Sequence, residues 1–285
     1  MRGMILPHGD AKRLALLPPP SLAGIVRYFH IECASAGTVL IPATPCPEIT
    51  LFISGGSRPT LGGPLFQRPM LGGPQTVPLL VNWEPGTTFI CALIEPGQFG
   101  RLFDADLSEL SDLPVPLDDF APRQPTRELE DALRATGDSA AWLTLFADWL
   151  LTLLVQRAER VRPSFVLPPG MLFQPTEDIA RRCGLSVRQL ERNMLATYGQ
   201  SLRDGRKMAR YVRALALILS QPPRRGLLTR IAMDCGYHDQ AHMIRDFIHF
   251  TGRRPGSLLE EDDGSGLLRL FRYEDPHRQV VTGQV

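Results

Sequence analysis

The sequence predicts an α+β chain, with an N-terminal β-barrel or sandwich carrying a helical pair and an all-α unit behind it. Three features carry this. Short apolar runs between Gly and Pro fill the region from Val26 to about Phe120. The apolar period then lengthens to three and four residues, and a heptapeptide beginning at Ile179 recurs 52 residues later. Short runs bounded by turn residues read as strands, and a three- to four-residue period reads as helix.

The strand candidates are Thr38 to Pro42, Ile49 to Ile53, Val77 to Val81 and Phe89 to Ile94. Many short strands must close or stack to hide their edges, hence the barrel or sandwich. After the Pro-rich stretch from Leu113 to Pro125, Leu129 and Leu133, then Trp142, Leu145, Phe146, Trp149, Leu150 and Leu153 mark the two helices. Their stripe packs on the barrel or, in part, forms a homodimer contact. Pro163, Pro168, Pro169, Gly170 and Pro175 forbid a continuous helix and mark a linker. The resulting organisation is a β-rich domain with its helical pair at 1–162, a Pro-rich linker at 163–175, a helical domain at 176–260 and a tail at 261–285 with no periodic core face.

At 285 residues the chain can bury two cores, and 44% hydrophobic with 21% charged residues argues against disorder while leaving enzymes and binding proteins open. The stretch from Met1 to Leu17 has mixed charges and Pro7 where a secretory signal would have a basic head and an unbroken apolar run. The longest apolar candidate, Trp142 to Val155, is interrupted by Asp148, so a cytoplasmic protein with no membrane span is expected. Five cysteines, Cys33, Cys46, Cys91, Cys183 and Cys235, without a CxxC pair, read as reduced thiols. Net charge is +1, yet Met171 to Glu260 holds 15 basic against 8 acidic residues, which leaves the remainder at −6. A basic segment joined to an acidic one points to nucleic acid for the former.

In the repeat, Ile179-Ala180-Arg181-Arg182-Cys183-Gly184-Leu185 returns as Ile231-Ala232-Met233-Asp234-Cys235-Gly236-Tyr237. Each copy reads as a short helix ended by a Gly in the left-handed region. Ser186 and Asp239 are the N-caps of the helices that follow, and counting from them pairs Leu190 with Met243, Met194 with Phe247, Arg192 with Arg245 and Gly199 with Gly252. A short helix, a Gly turn and a capped helix with a polar outer face make the helix-turn-helix plan, here in tandem and homeodomain-like, whose second helix enters the major groove. Between the copies, Leu202 to Ser220 reads as one connecting helix with Met208, Tyr211, Val212, Leu215 and Leu219 inward. About 16 helical residues span roughly 24 Å. With the bundles at its ends, such a connector could place two recognition helices about one turn of duplex apart, roughly 34 Å.

Residues 176–257 resemble the DNA-binding domain of the AraC/XylS family of transcription regulators, most closely over Gly236 to Phe247 with Gly252 and Pro255. More loosely, Pro69 to Thr76 and Ile94 to Gly97 resemble an N-terminal domain found before such units. The Pro residues from Pro168 to Pro175 depart from the family, which has a helix there, so the first motif either lacks that helix or borrows packing from Trp142 to Arg157.

The resemblance implies sequence-specific binding to double-stranded DNA, activation through RNA polymerase, no cofactor, and an N-terminal domain that senses a small-molecule effector or a partner. It implies base-reading side chains at Arg188, Glu191 and Arg192 on the first recognition helix, and at Gln240, Ala241, Ile244 and Arg245 on the second. Glu191 has the alternative of pairing with a nearby Arg. Arg203, Arg206, Lys207, His242, Arg253 and Arg254 are the phosphate-contact candidates. His30, Glu32, Cys33, Cys46, Glu48, Cys91 and Glu95 read as scattered structural residues. The competing function is a DNA-tethered enzyme or thiol sensor, for which Cys46, followed by Pro47-Glu48, is the one candidate thiol.

Overall fold

The computed structural model describes residues 4–8, 11–58, 63–112, 114–158 and 165–257. The tail expected at 261–285 lies outside them. Among the described residues ten antiparallel strands form two sheets. The larger, in spatial order, holds β1 (Met4–His8), β2 (Ala11–Leu16), β3 (Val26–Cys33), β9 (Thr88–Ile94), β5 (Glu48–Ser54), β7 (Met70–Gly72) and β10 (Pro114–Pro116). The smaller holds β4 (Gly37–Ile41), β8 (Leu79–Trp83) and β6 (Ser57–Arg58). All four expected strands are present as β4, β5, β8 and β9. The central strand β3 is buried on both faces and so lacks the simple alternation that marks a strand in sequence.

Side chains of the large sheet alternate as a pleated strand requires. Tyr28, Phe52, Phe89, Cys91 and Leu93 face the small sheet and fill the space between the two with Val81 and Trp83. Phe29, Ile31, Ile49, Leu51, Ile90 and Ala92 face the other way, onto α1 (Arg123–Ala135) and α2 (Ser139–Arg157). Trp142 closes the helical pair, its Nε1 donating to the carbonyls of Leu133 and Thr136 at 3.0 and 2.9 Å. By length and composition α2 is apolar enough to cross a membrane; its Trp142, Phe146, Trp149, Leu150 and Leu153 are buried in this core.

The C-terminal unit is helical: α3 (Thr176–Arg182), α4 (Val187–Tyr198), α5 (Leu202–Leu219), α6 (Leu227–Asp234) and α7 (Gln240–Thr251). Among the described residues, the linker leading into α3 forms a short 3-10 turn at Pro169–Phe173 and no α-helix. Arg206 on α5 holds that turn, donating through Nε to the Leu172 carbonyl at 2.7 Å and through its terminal nitrogens to the Gln174 carbonyl and Thr176 Oγ1. Phe165, Leu167, Met171 and Leu172 pack with Ile179, Leu190, Met194 and Leu202. The missing helix is therefore replaced by the linker's own side chains and not by Trp142 to Arg157, which belong to the other core.

Candidate nucleic-acid interface

The two motifs close their turns with the same hydrogen bonds. Leu185 N donates to the Ala180 carbonyl and Gly184 N to that of Arg181; in the second copy Tyr237 N donates to Ala232 and Gly236 N to Met233, all between 2.9 and 3.1 Å. This double closure requires a left-handed residue, and Gly184 and Gly236 supply it with φ of 66° and 76°. Ser186 and Asp239 then cap the recognition helices as the spacing predicts. Ser186 accepts from Gln189 N in a reciprocal capping box, and Asp239 accepts from His242 N. The His242 amide, followed by His238, holds the Asp239 carboxyl below its ordinary range.

Leu190 and Met194 in one copy, Met243 and Phe247 in the other, are fully buried, which turns the opposite helix faces outward. Arg188 and Arg192 are exposed on α4, Ala241 and Arg245 on α7, and Ile244 is half-exposed beside them. Gln240 sits at the start of α7, where its Oε1 accepts from Thr229 Oγ1 at 2.8 Å. Two exposed apolar residues were not anticipated: Leu195 at 42% and Ile248 at 44%, each three residues after Arg192 and Arg245 and so on the same stripes. Equal distance from the two caps was the signal that could have found them.

Three of the expected contact residues have partners within the chain. Glu191 Oε2 accepts from Leu202 N at 3.2 Å and so supports the start of α5. Arg206 is spent on the linker, as described. Lys207 lies 3.6 Å from the buried Asp246 carboxylate and 5.0 Å over the Phe250 ring, a packing role within the second motif. Arg203 and Arg254 are exposed, Arg253 is half-buried, and half-buried His242 packs edge-on against Tyr237 at 5.2 Å.

The polar residues of the β domain are not scattered. His30 Nε2 lies 3.2 Å from Glu32 Oε2, and Cys91 Sγ donates to Glu48 Oε2 at 3.7 Å, all within or at the edge of the inter-sheet space. Burial pushes the Glu48 carboxyl and the Cys91 thiol up. Among the described residues no group of three or more His, Cys, Asp or Glu is arranged to hold a metal ion. Cys46 is 3% exposed, and burial raises its thiol pKa, opposite to what an activated thiol needs.

The β domain touches both motifs at the C-terminal ends of their recognition helices. Ser111 Oγ donates to the Gly199 carbonyl at 3.0 Å, and Ala43 N donates to the Phe250 carbonyl at 2.8 Å. Gly199 has φ 63°, and a Cβ there would lie 2.7 Å from Pro74 Cγ and Ser111 Oγ. The N-terminal halves, with Arg188 and Ala241, point away from these contacts.

Residues 179–261 match the protein family described as Helix-turn-helix domain. No curated protein matches the chain. Among solved structures, ToxT from Vibrio cholerae is similar at 9% identity, with a TM-score of 0.44 over 81% of this chain and 98% of that one. Wild-type ToxT from Vibrio cholerae with a bound unsaturated fatty acid is similar at 11% identity, with a TM-score of 0.44 over 90% and 97%. The duplicated, identically closed motif and the family match agree: residues 176–257 form a tandem helix-turn-helix domain.

Proposed function

We propose that the protein is a cytoplasmic, sequence-specific activator whose β domain senses a small molecule and whose two recognition helices read successive major grooves. The observation that carries this is the pair of equivalent outward stripes, Arg188 and Arg192 on α4, Ala241 and Arg245 on α7, both left open while the β domain rests on the opposite helix ends. Arg188, Arg192 and Arg245 suit the O6 and N7 edge of guanine, and Gln240 suits adenine. Ala241, Ile244 and the newly found Leu195 and Ile248 suit thymine methyls. Arg203, Arg253 and Arg254, with His242, supply phosphate contacts. Activation would work through RNA polymerase, with the exposed parts of α2 available for a homodimer.

Selection of a bound site from random duplex, followed by fluorescence polarisation, tests this reading. Arg245→Ala should cost about 1–3 kcal/mol of discrimination at one base pair. Arg254→Ala should weaken all duplexes alike and lower the salt slope by about 1. Binding that ignores both salt and sequence would refute it. In vitro transcription with purified RNA polymerase then separates activation from repression.

A further inference from the structure

Two segments of the β domain, Pro69 to Thr76 and Ile94 to Gly97, take no part in the outward stripes, yet the fold brings both to the end of α4. A Cβ on Gly97 would lie 2.9 Å from the Tyr198 hydroxyl, and one on Gly199 would lie 2.7 Å from Pro74 Cγ and 2.9 Å from the Leu107 carbonyl oxygen. Ser111 donates to the Gly199 carbonyl beside them. The end of α7 is met in the same way. Ala43, fully buried among the core residues of the second motif, donates its N–H to the Phe250 carbonyl, and a Cβ on Gly252 would lie 2.9 Å from Leu40 Cδ2. Gly199 and Gly252 are the equivalent left-handed C-caps of the two recognition helices. One domain therefore holds the same point of both.

The two holds belong to one piece of main chain. Thr44, next to Ala43, and Gln75, next to Pro74, form an antiparallel bridge: Thr44 N donates to the Gln75 carbonyl at 3.1 Å and Gln75 N to that of Thr44 at 2.9 Å. Both residues are buried. On the other side, Gly73 N donates to the Leu110 carbonyl and Asp112 N to that of Pro74, each at 3.2 Å. The Asp112 carboxylate accepts from Thr76 N and Thr76 Oγ1. Asp112 has φ 61°, an uncommon conformation for a residue with a Cβ, and these hydrogen bonds hold it there. Segments 43–44, 73–76 and 110–112 thus make a frame with α4 on one side and α7 on the other.

We propose that this frame sets the distance and rotation between the two recognition helices, with Ala43, Pro74 and Ser111 as positioning residues, so that the β domain selects the half-site spacing. The DNA part of this inference rests on the regulator reading; the geometric part does not. Along the chain α5 alone joins the motifs, and a single connection leaves bending and rotation about it. The frame joins their other ends and closes a ring, which removes those freedoms. Held in this way, the pair engages both half-sites at once only when they are correctly spaced, and the gain from simultaneous engagement is lost when they are not.

The test uses the full chain and selected duplexes whose half-sites are moved apart or together by one base pair, about 3.4 Å and about 35°. By fluorescence polarisation each change should weaken the wild type by about tenfold or more. Pro74→Ala with Ser111→Ala removes the hold on the first motif without touching either motif, and should cut that ratio to about threefold or less. Asp112→Gly loosens the frame itself in a residue whose φ suits glycine, and should act in the same direction if the double variant fails to fold by circular dichroism. A smaller folded fraction lowers binding to all spacings alike, so a merely structural role leaves the ratio unmoved. A second measurement needs no DNA. In a chain with Cys33→Ser and Cys183→Ser, whose remaining thiols are buried, spin labels on Arg188→Cys and Ala241→Cys report the distance between the helices. Its distribution should be narrow and should broaden in the frame variants. An unchanged spacing ratio or an unchanged distribution in a folded variant overturns the frame, as does equal tightening on every duplex, which would make the contact inhibitory. Absence of sequence-specific duplex binding refutes the regulator reading, and the distance distribution then still decides the frame.

Discussion

The two helix-turn-helix motifs share their turns and caps but differ in what holds them. The second is packed around its own aromatic core, with Tyr211 stacked on Phe250 at 4.7 Å and edge-on to Phe247 at 5.3 Å, and with Tyr237 buried beside them. The first has no aromatic residue among its fully buried side chains. It completes a smaller core with Leu167, Met171 and Leu172 from the linker. Tyr198, at the end of its recognition helix, accepts a hydrogen bond from Leu167 N at 2.7 Å. One motif is nearly self-contained, while the other is assembled from the joint between the domains. The teaching is that a signal at that joint has a direct route to the first recognition helix and only an indirect one, through α5, to the second.

The largest expected effect comes from removing the guanidinium that replaces the missing helix. Arg206→Ala deletes hydrogen bonds to the Leu172 and Gln174 carbonyls and should cost about 2–4 kcal/mol, because each is charge-assisted and partly buried. Hydrogen exchange should show lost protection in α3 and α4 with α6 and α7 retained. Uniform loss across all five helices would mean that the two motifs are one cooperative unit and would remove the contrast.

Next comes the contact with the β domain. Gly199→Ala forces a left-handed residue with a Cβ into Pro74 and Ser111, while at Gly252 the added Cβ meets only the Leu40 side-chain tip. Both pay about 1–2 kcal/mol for the backbone conformation, and Gly199→Ala adds the collision. Limited proteolysis should therefore open the linker near Phe165 in Gly199→Ala and leave it closed in Gly252→Ala. Equal cleavage in both would place the domain contact elsewhere.

The smallest effect separates the caps. Ser186→Ala should cost about 1 kcal/mol at any pH, since a hydroxyl does not titrate. The Asp239 carboxyl titrates below its unfolded value of about 3.9, so its capping contribution is present above that pH and is lost as pH falls through the lower folded value. Acid should fray α7 before α4, observable in amide chemical shifts. Simultaneous fraying would contradict the assignment of the caps.

Much of this was legible in sequence because it is local. The Gly turns, the caps, the buried pairs at four and eight residues past each cap and the helical pair all follow from periodicity and from which residue tolerates which backbone angle. What was not legible depends on distant partners. Glu191, Arg206 and Lys207 have the composition and helical position of DNA contacts, and only the folded chain shows that Leu202, Leu172 and Asp246 claim them. The convergence of His30, Glu32, Glu48 and Cys91 likewise follows from pairing β3, β9 and β5, with Thr50 opposite Cys91 and His30 opposite Cys91 on either side. Spacing along the chain cannot reveal such a register. Leu195 and Ile248 are hidden in sequence because apolar residues on an amphipathic helix read first as core.

The central claim is that one chain presents both outward stripes to the same side of a duplex, and half-site phasing tests it most directly. On a selected operator, inserting about 5 base pairs between the segments protected by α4 and α7 turns the second onto the opposite face, half of a turn of roughly 10 base pairs. The account predicts that this insertion lowers affinity to that of a single half-site and that a further 5 or so restores part of it. Affinity indifferent to the insertion would contradict it.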